Sequence, residues 1–254
     1  MKAPLRMESA ALTHPGLVRR ANEDSFCERT ADGLWAVADG MGGHAHGDWA
    51  SRTLVGALAD VSVAGSFDDA AQVAAGGIYH GNRMIWREAR RREQQMGSTV
   101  VVLLVRDTRF AILWVGDSRA YLLRGGLLHQ LSRDHTQVQE LVDRGLIRPD
   151  EARSHPRGHV LARAVGVAER IEVDVVVDEV EPGDLFLLCS DGLTGLVSDV
   201  ELAELLAGAG GRQAIAGRLV ALALERGAPD NVTVVLVSAQ EATLLSLAGP
   251  GGFA

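Results

Sequence analysis

Between residues 98 and 131 four apolar stretches, "STVVVLLV", "RFAILWVG", "RAYLLR" and "GLLHQL", follow one another with only a few turn residues between them, Gly116 and Gly125 included. Links so short cannot carry a crossover, so these stretches can only be antiparallel neighbours. Further strands are predicted over 7–12 and 25–39 and over "IEVDVVVDEV", "DLFLLCSDG" and "NVTVVLVS". Helical spacing of apolar residues predicts helices over 47–61, about 67–93, 198–208 and 211–226, with Ser66 as N-cap of the second before Asp68 and Asp69. Runs of strands and runs of helices, without strict alternation, indicate an antiparallel α+β layered domain. Residues 133–165 are polar, with a short helix and no convincing strand, and have the look of an excursion or lid. With 254 residues, 47% of them hydrophobic, the chain can bury one large core, or at most two. The glycine-rich end "GPGGFA" reads as a frayed tail over 241–254.

A formal net charge of -8 argues against a nucleic-acid partner, whose footprint is a basic face. The dense basic stretch Arg83, Arg87, Arg90, Arg91 and Arg92 interleaves with Glu88 and Glu93 and reads as a solvated helix face. Two cysteines, Cys27 and Cys189, cannot build a disulfide framework, which makes a reducing cytoplasm the expectation. The start "MKAPLRMESA" has no apolar core of signal-peptide length, and no apolar run approaches a bilayer span, so no membrane association is expected. A monomer is expected.

The stretch "VADGMGGHAHGDWA" begins as a strand and then places Asp39 before a run of glycines. Asp-Gly is a hairpin signal on its own. Here, however, Ala50, Leu54, Leu58 and Val61 recur at helical spacing after it, so the turn leads into a helix. Asp117, Asp191 and Asp230 share the habit of Asp39, each standing at the edge of an apolar strand beside small or turn residues. Each alone has a dull explanation as a cap or turn former. Four in one sandwich can converge, and converging carboxylates repel unless cations lie between them. Oxygen ligands select hard cations such as magnesium or manganese. The eight histidines show no HExxH spacing, so zinc is not indicated. The turn "RRANED" supplies arginines, whose planar fork suits phosphate.

In order and approximate spacing, "GLVRRANEDS", "VADGMGGH", "STVVVLLV", "WVGDSRAYL", "RDHTQVQELVDRG", "HVLARAVG", "PGDLFLLCSDGL" and "PDNVT" resemble the bacterial metal-dependent serine/threonine protein phosphatases, the type 2C family. The resemblance runs from about residue 8 to residue 238 and implies a catalytic domain over 1–240, with 133–165 as a flap beside the cleft. It implies a four-layer α-β-β-α sandwich of two antiparallel sheets flanked by helices. It further implies hydrolysis of phosphoserine and phosphothreonine on proteins by a metal-bridged hydroxide, opposing a bacterial serine/threonine kinase. By position, Asp39 is similar to the carboxylate bridging two Mn2+ or Mg2+ ions, with the Gly40 carbonyl as a further ligand. Asp191 and Asp230 match ligands of the second ion, with Glu23 reaching it directly or through water. Asp117 matches the ligand, shared with Asp191, of a third and weaker ion. Arg19 matches the phosphate-binding arginine, and Arg20 has no counterpart role.

The pattern departs from some animal and plant members, which have a histidine directly after Asp-Gly where this chain has Met41. His44 and His46 are the nearby candidates for proton donor, a metal-bound water being the alternative. The Cys-x5-Arg pattern of thiolate phosphatases is absent, since Gly195 and Gly33 stand six residues after Cys189 and Cys27. Two other functions fit such a chain less well: a phosphoprotein-binding module without turnover, which would have lost metal carboxylates, and a hydrolase of small phosphoesters.

Overall fold

The computed structural model describes residues 5–42, 46–152, 155–158 and 160–241. In chain order the elements are β1 (Leu5–His14), β2 (Asp24–Arg29), β3 (Leu34–Met41), α1 (His46–Ala59), α2 (Phe67–Arg92), β4 (Gly97–Ser98), β5 (Val100–Arg106), β6 (Arg109–Val115), β7 (Arg119–Arg124), β8 (Leu127–Gln130), α3 (Gln137–Asp143), α4 (Pro149–Ala152), β9 (Asp174–Glu179), β10 (Leu185–Cys189), α5 (Asp191–Thr194), α6 (Asp199–Ala207), α7 (Arg212–Glu225) and β11 (Val232–Glu241). One sheet has the order β1-β11-β10-β7-β8, the other β2-β3-β5-β6-β9 with β4 pairing β3, and every named pairing is antiparallel.

Strand alternation builds the layers. Along β3, Leu34, Ala36 and Ala38 pack with Leu54, Leu58, Ile78 and Ile85 of α1 and α2, while Trp35 and Val37 point to the other sheet. Along β10, Phe186 and Leu188 face that inter-sheet core, and Leu185, Leu187 and Cys189 face α6 and α7 with Leu202 and Leu219. Both faces of the central strands are therefore buried, which is why "VVVLLV" and "LFLLC" read as continuous apolar runs. Three cores between four layers are the expected α-β-β-α sandwich. Phe110 and Phe186 meet edge to face at 5.0 Å between the sheets.

Two expectations need correction. Residues 25–39 are not one strand: a 3-10 turn over Thr30–Asp32, closed by Gly33 at φ +68, folds the segment into the β2-β3 hairpin. β11 runs to Glu241, into the stretch read as tail, whose remaining residues lie outside the described ones. Ser66 caps α2 as expected, and Asp69 returns the bond to complete a capping box. On the same helix Glu88 binds Arg91 and Arg92, and Arg90 and Arg92 lie over Trp86 and Trp49, so the basic stretch is engaged within its own surface. Between Arg133 and Val165 the chain forms α3 and α4, closes on itself through the bridge Thr136↔Leu161 and touches β4 through Ser98↔Val165. Among the described residues no helix is long and apolar enough to cross a membrane.

Candidate active site

The β2-β3 register sets Asp24 directly opposite Asp39 at one end of the hairpin. β3 and β5 diverge just there, and the strand end is held by side chains of the next segment. The Asp39 N–H donates to Thr99 Oγ1 at 3.1 Å, while Thr99 N–H and Ser98 Oγ both donate to the Asp39 carbonyl, at 2.8 and 3.0 Å. Asp24 comes from the same end and is buried; its Oδ2 accepts hydroxyl bonds from Ser190 at 2.8 Å and Thr233 at 2.7 Å, whereas its Oδ1 has no partner. Asp191 opens α5 after β10, Asp230 stands just before β11, and Asp117 occupies the β6-β7 turn.

The charges of these groups converge. The Asp39 carboxyl is pushed well above the ordinary carboxylate range, by desolvation first and then by Asp24, Asp191, Asp117 and Asp230. Asp24 is raised to about 7 by burial, against the pull of its two hydroxyl donors, with Asp191 and Asp230 adding to the rise. Asp117 is raised to about 8 by burial, then by Asp191 and Asp134, with Arg119 opposing. Asp117, Asp191 and Asp230 thus lie within electrostatic reach of Asp39, and Asp24, which sequence reasoning passed over, joins them. The signal for Asp24 was the "NED" turn: a carboxylate that starts a strand paired with the one carrying Asp39.

Gly40 has a different reason for being glycine from the turn conformation its sequence context suggested. Its φ is not positive, but a Cβ there would collide with the carbonyl oxygens of Gly47 and Glu23. A Cβ on Gly47 would in turn lie 2.7 Å from the Gly40 oxygen and 2.8 Å from the carboxyl carbon of Glu23. The Gly40 carbonyl and the Glu23 carboxylate therefore approach one small space that α1 leaves open at its first turn. Asn231 fixes this corner: its Oδ1 accepts from the Glu23 N–H at 2.7 Å, and its Nδ2 donates to the carbonyls of Pro15 and Ala21. The sequence offered Asn231 only as the third letter of "PDNVT". Arg19 reaches the cluster from the 15–20 turn, donating from Nη2 to Asp230 Oδ2 at 2.8 Å. Arg20 is exposed. His46 begins α1, and His44 lies outside the described residues.

The donor set is oxygen throughout, and Asp39, Asp24 and Asp117 are raised by burial first and by their carboxylate neighbours next. Among the described residues, no three Asp, Glu, His or Cys side chains stand close enough together to hold an ion as placed. All-oxygen donors are the kind that magnesium and manganese take, with several waters kept. The two cysteines are buried in the apolar layers, and burial pushes the Cys189 thiol up to about 12, which removes thiolate chemistry.

A four-layer sandwich with an all-oxygen acidic cleft at one end of its sheets is the architecture of metal-dependent phosphatases. Comparison with known proteins agrees. Residues 19–212 match the family model "Protein phosphatase 2C". PppA, a key regulatory component of T6SS in Pseudomonas aeruginosa, is 44% identical, with a TM-score of 0.86 over 92% of this chain and 97% of that one. The serine/threonine protein phosphatase PstP of Mycobacterium tuberculosis is 40% identical over 92% of this chain. This chain spans 45% of the length of PstP. A structure of the PstP catalytic domain in complex with two manganese ions is 38% identical, with a TM-score of 0.85 over 93% of this chain and 99% of that one. The serine/threonine phosphatase stp of Listeria monocytogenes is 35% identical over 91% of this chain and 95% of its own length. The chain belongs to the protein phosphatase 2C family.

Proposed function

We propose that this protein hydrolyses phosphoserine and phosphothreonine on protein substrates, using two core Mn2+ or Mg2+ ions, with Asp39, the Gly40 carbonyl, Asp191, Asp230 and Glu23 as their protein ligands and Asp117 toward a third. The observation that carries this reading is the convergence on Asp39 of the charges of Asp24, Asp117, Asp191 and Asp230, in a site whose donors are all oxygen. When bound, such ions supply Lewis acidity and activate water for in-line attack on phosphorus.

The chain's own residues do the rest. Thr99 and Ser98 hold the Asp39 backbone from both sides, so the carboxylate is aimed before any ion arrives. Asn231 seats the Glu23 backbone, and Ser190 and Thr233 hold one oxygen of Asp24 while the other stays without a partner. Arg19 is more than half exposed, so its guanidinium can leave Asp230 and turn its fork to a substrate phosphate. We read residues 1–240 as the catalytic domain and 133–165 as a flap bordering the cleft. The substrates proposed are phosphoproteins made by a serine/threonine kinase, met in the cytoplasm by a monomeric enzyme.

Turnover of a phosphothreonine peptide compared with small phosphate esters tests the substrate class. A kcat/KM at least about tenfold higher for the peptide supports a protein phosphatase. Preference for the small esters overturns it.

A further inference from the structure

We propose that His135 is a positioning residue for Asp117, fixing the turn that carries this carboxylate and tying it to both ends of the 133–165 excursion; this rests on the reading of Asp117 as a peripheral metal ligand.

His135 enters the excursion in "RDHT" and is buried. Its backbone N–H donates to the Gly116 carbonyl at 2.9 Å, and its ring Nδ1 accepts the Gly116 N–H at 3.1 Å. Both backbone groups of the residue before Asp117 are thus held by one side chain and its own amide. Because Nδ1 accepts from an amide, the ring proton sits on Nε2, which donates to Asp174 Oδ2 at 3.1 Å. The other oxygen of Asp174 accepts from Arg163 Nη1 at 2.6 Å, and Arg163 lies where the excursion ends. The Ala162 N–H returns to the His135 carbonyl at 2.8 Å. Trp114 stacks on the imidazole at 6.1 Å and donates from its indole to the Arg133 carbonyl, so the ring cannot swing away.

The opposite side of the turn is equally determined. Gly116 has φ +109, and a Cβ on it would lie 2.6 Å from the Thr99 Cβ. Ser118 Oγ and Thr99 Oγ1 share a hydrogen bond at 2.7 Å, and the same Thr99 oxygen accepts the Asp39 N–H. The Asp117 turn is therefore clamped between the strand that carries Asp39 and a chain running through His135 and Asp174 to Arg163. A histidine that merely filled space would need neither the Nδ1 bond from the Gly116 N–H nor the Nε2 bond to Asp174.

The experiment compares wild type, His135→Ala, Asp117→Asn and the double variant by thermal melting, manganese titration calorimetry and phosphopeptide turnover across manganese concentrations. In His135→Ala the two strong manganese sites stay within about twofold, whereas the weak site and the manganese needed for half-maximal turnover shift by about tenfold or more. In the Asp117→Asn background, His135→Ala changes turnover by less than about twofold, because the group it positions is already gone. Equal losses in both backgrounds, or no change in the manganese dependence, overturn the proposal. Asp117→Asn indistinguishable from wild type overturns the underlying reading, and the proposal with it. Should His135→Ala lose cooperative melting, Asp174→Ala serves in its place, because it removes both the Nε2 acceptor and the charge that holds Arg163. A manganese shift in the same direction supports the proposal, and none overturns it.

Discussion

Arg19 Nη2 stands 2.8 Å from Asp230 Oδ2, so the residue read as the phosphate anchor rests on one read as a metal ligand. The pair raises the Arg19 pKa, through the Asp230 hydrogen bond and charge first and Glu23 and Asp39 after them. Both partners reach solvent, and an exposed pair of this kind contributes little to stability. Its use is positional: the guanidinium is kept at the cleft edge until a phosphate competes for it.

Arg19→Ala is therefore expected to weaken phosphopeptide recognition and leave the fold and the two strong metal sites in place. Losing one charge-assisted pair corresponds to about 1.5 to 3 kcal/mol, seen as a rise in KM more than a fall in kcat. Steady-state kinetics with a phosphothreonine peptide, alongside manganese calorimetry, check it. Unchanged kinetics would remove Arg19 from substrate binding.

Phe186→Ala tests the layer between the sheets. This side chain is fully buried against Phe110, so truncation leaves a cavity lined by both sheets. A loss of about 3 to 5 kcal/mol is expected by denaturant titration. A loss below about 1 kcal/mol would mean that the inter-sheet core is not packed as described.

The cysteines should be inert in the folded protein. Cys27 and Cys189 are buried, and burial raises both thiols, that of Cys189 to about 12. Alkylating reagent at neutral pH should leave manganese-supported turnover intact, with modification appearing only after denaturation, as mass spectrometry would report. Loss of activity in step with alkylation of folded protein would contradict this.

His135 predicts the sign of one pH effect. Burial holds its pKa below the ordinary 6.5, an effect that Asp174 and Asp134 oppose without reversing and that Arg163 reinforces. Below pH 6.5 the unfolded chain takes up a proton that the native state refuses, so stability falls on acidification and is fully present above that point. The difference in Tm between wild type and His135→Gln should be constant above about pH 7 and shrink as pH falls toward 5. A difference that grows on acidification would show the opposite coupling.

The sandwich was legible because its strands are doubly buried or separated by short links, and because four carboxylates recur at strand edges. The hairpin between β2 and β3 was not, since Thr30–Asp32 interrupts an apolar run with a single turn whose only mark is Gly33. Asp24 was missed for a related reason: its importance comes from cross-strand register with Asp39, and register appears only once that hairpin is recognised. The need of Gly40 for an absent side chain depends on Gly47 and Glu23, which meet it only in three dimensions. The links from His135 to Gly116 and from Thr99 to Asp39 join residues far apart in sequence, and no local pattern announces them.

The most direct test of the central claim is phosphothreonine-peptide turnover by metal-stripped protein as manganese is returned, with Asp39→Asn measured beside wild type. Wild type should be inactive in excess chelator and recover fully with manganese, while Asp39→Asn melts normally and stays near background at every concentration. Turnover by stripped wild type in chelator, or wild-type turnover by Asp39→Asn, would contradict a hydrolase whose ions are held by Asp39.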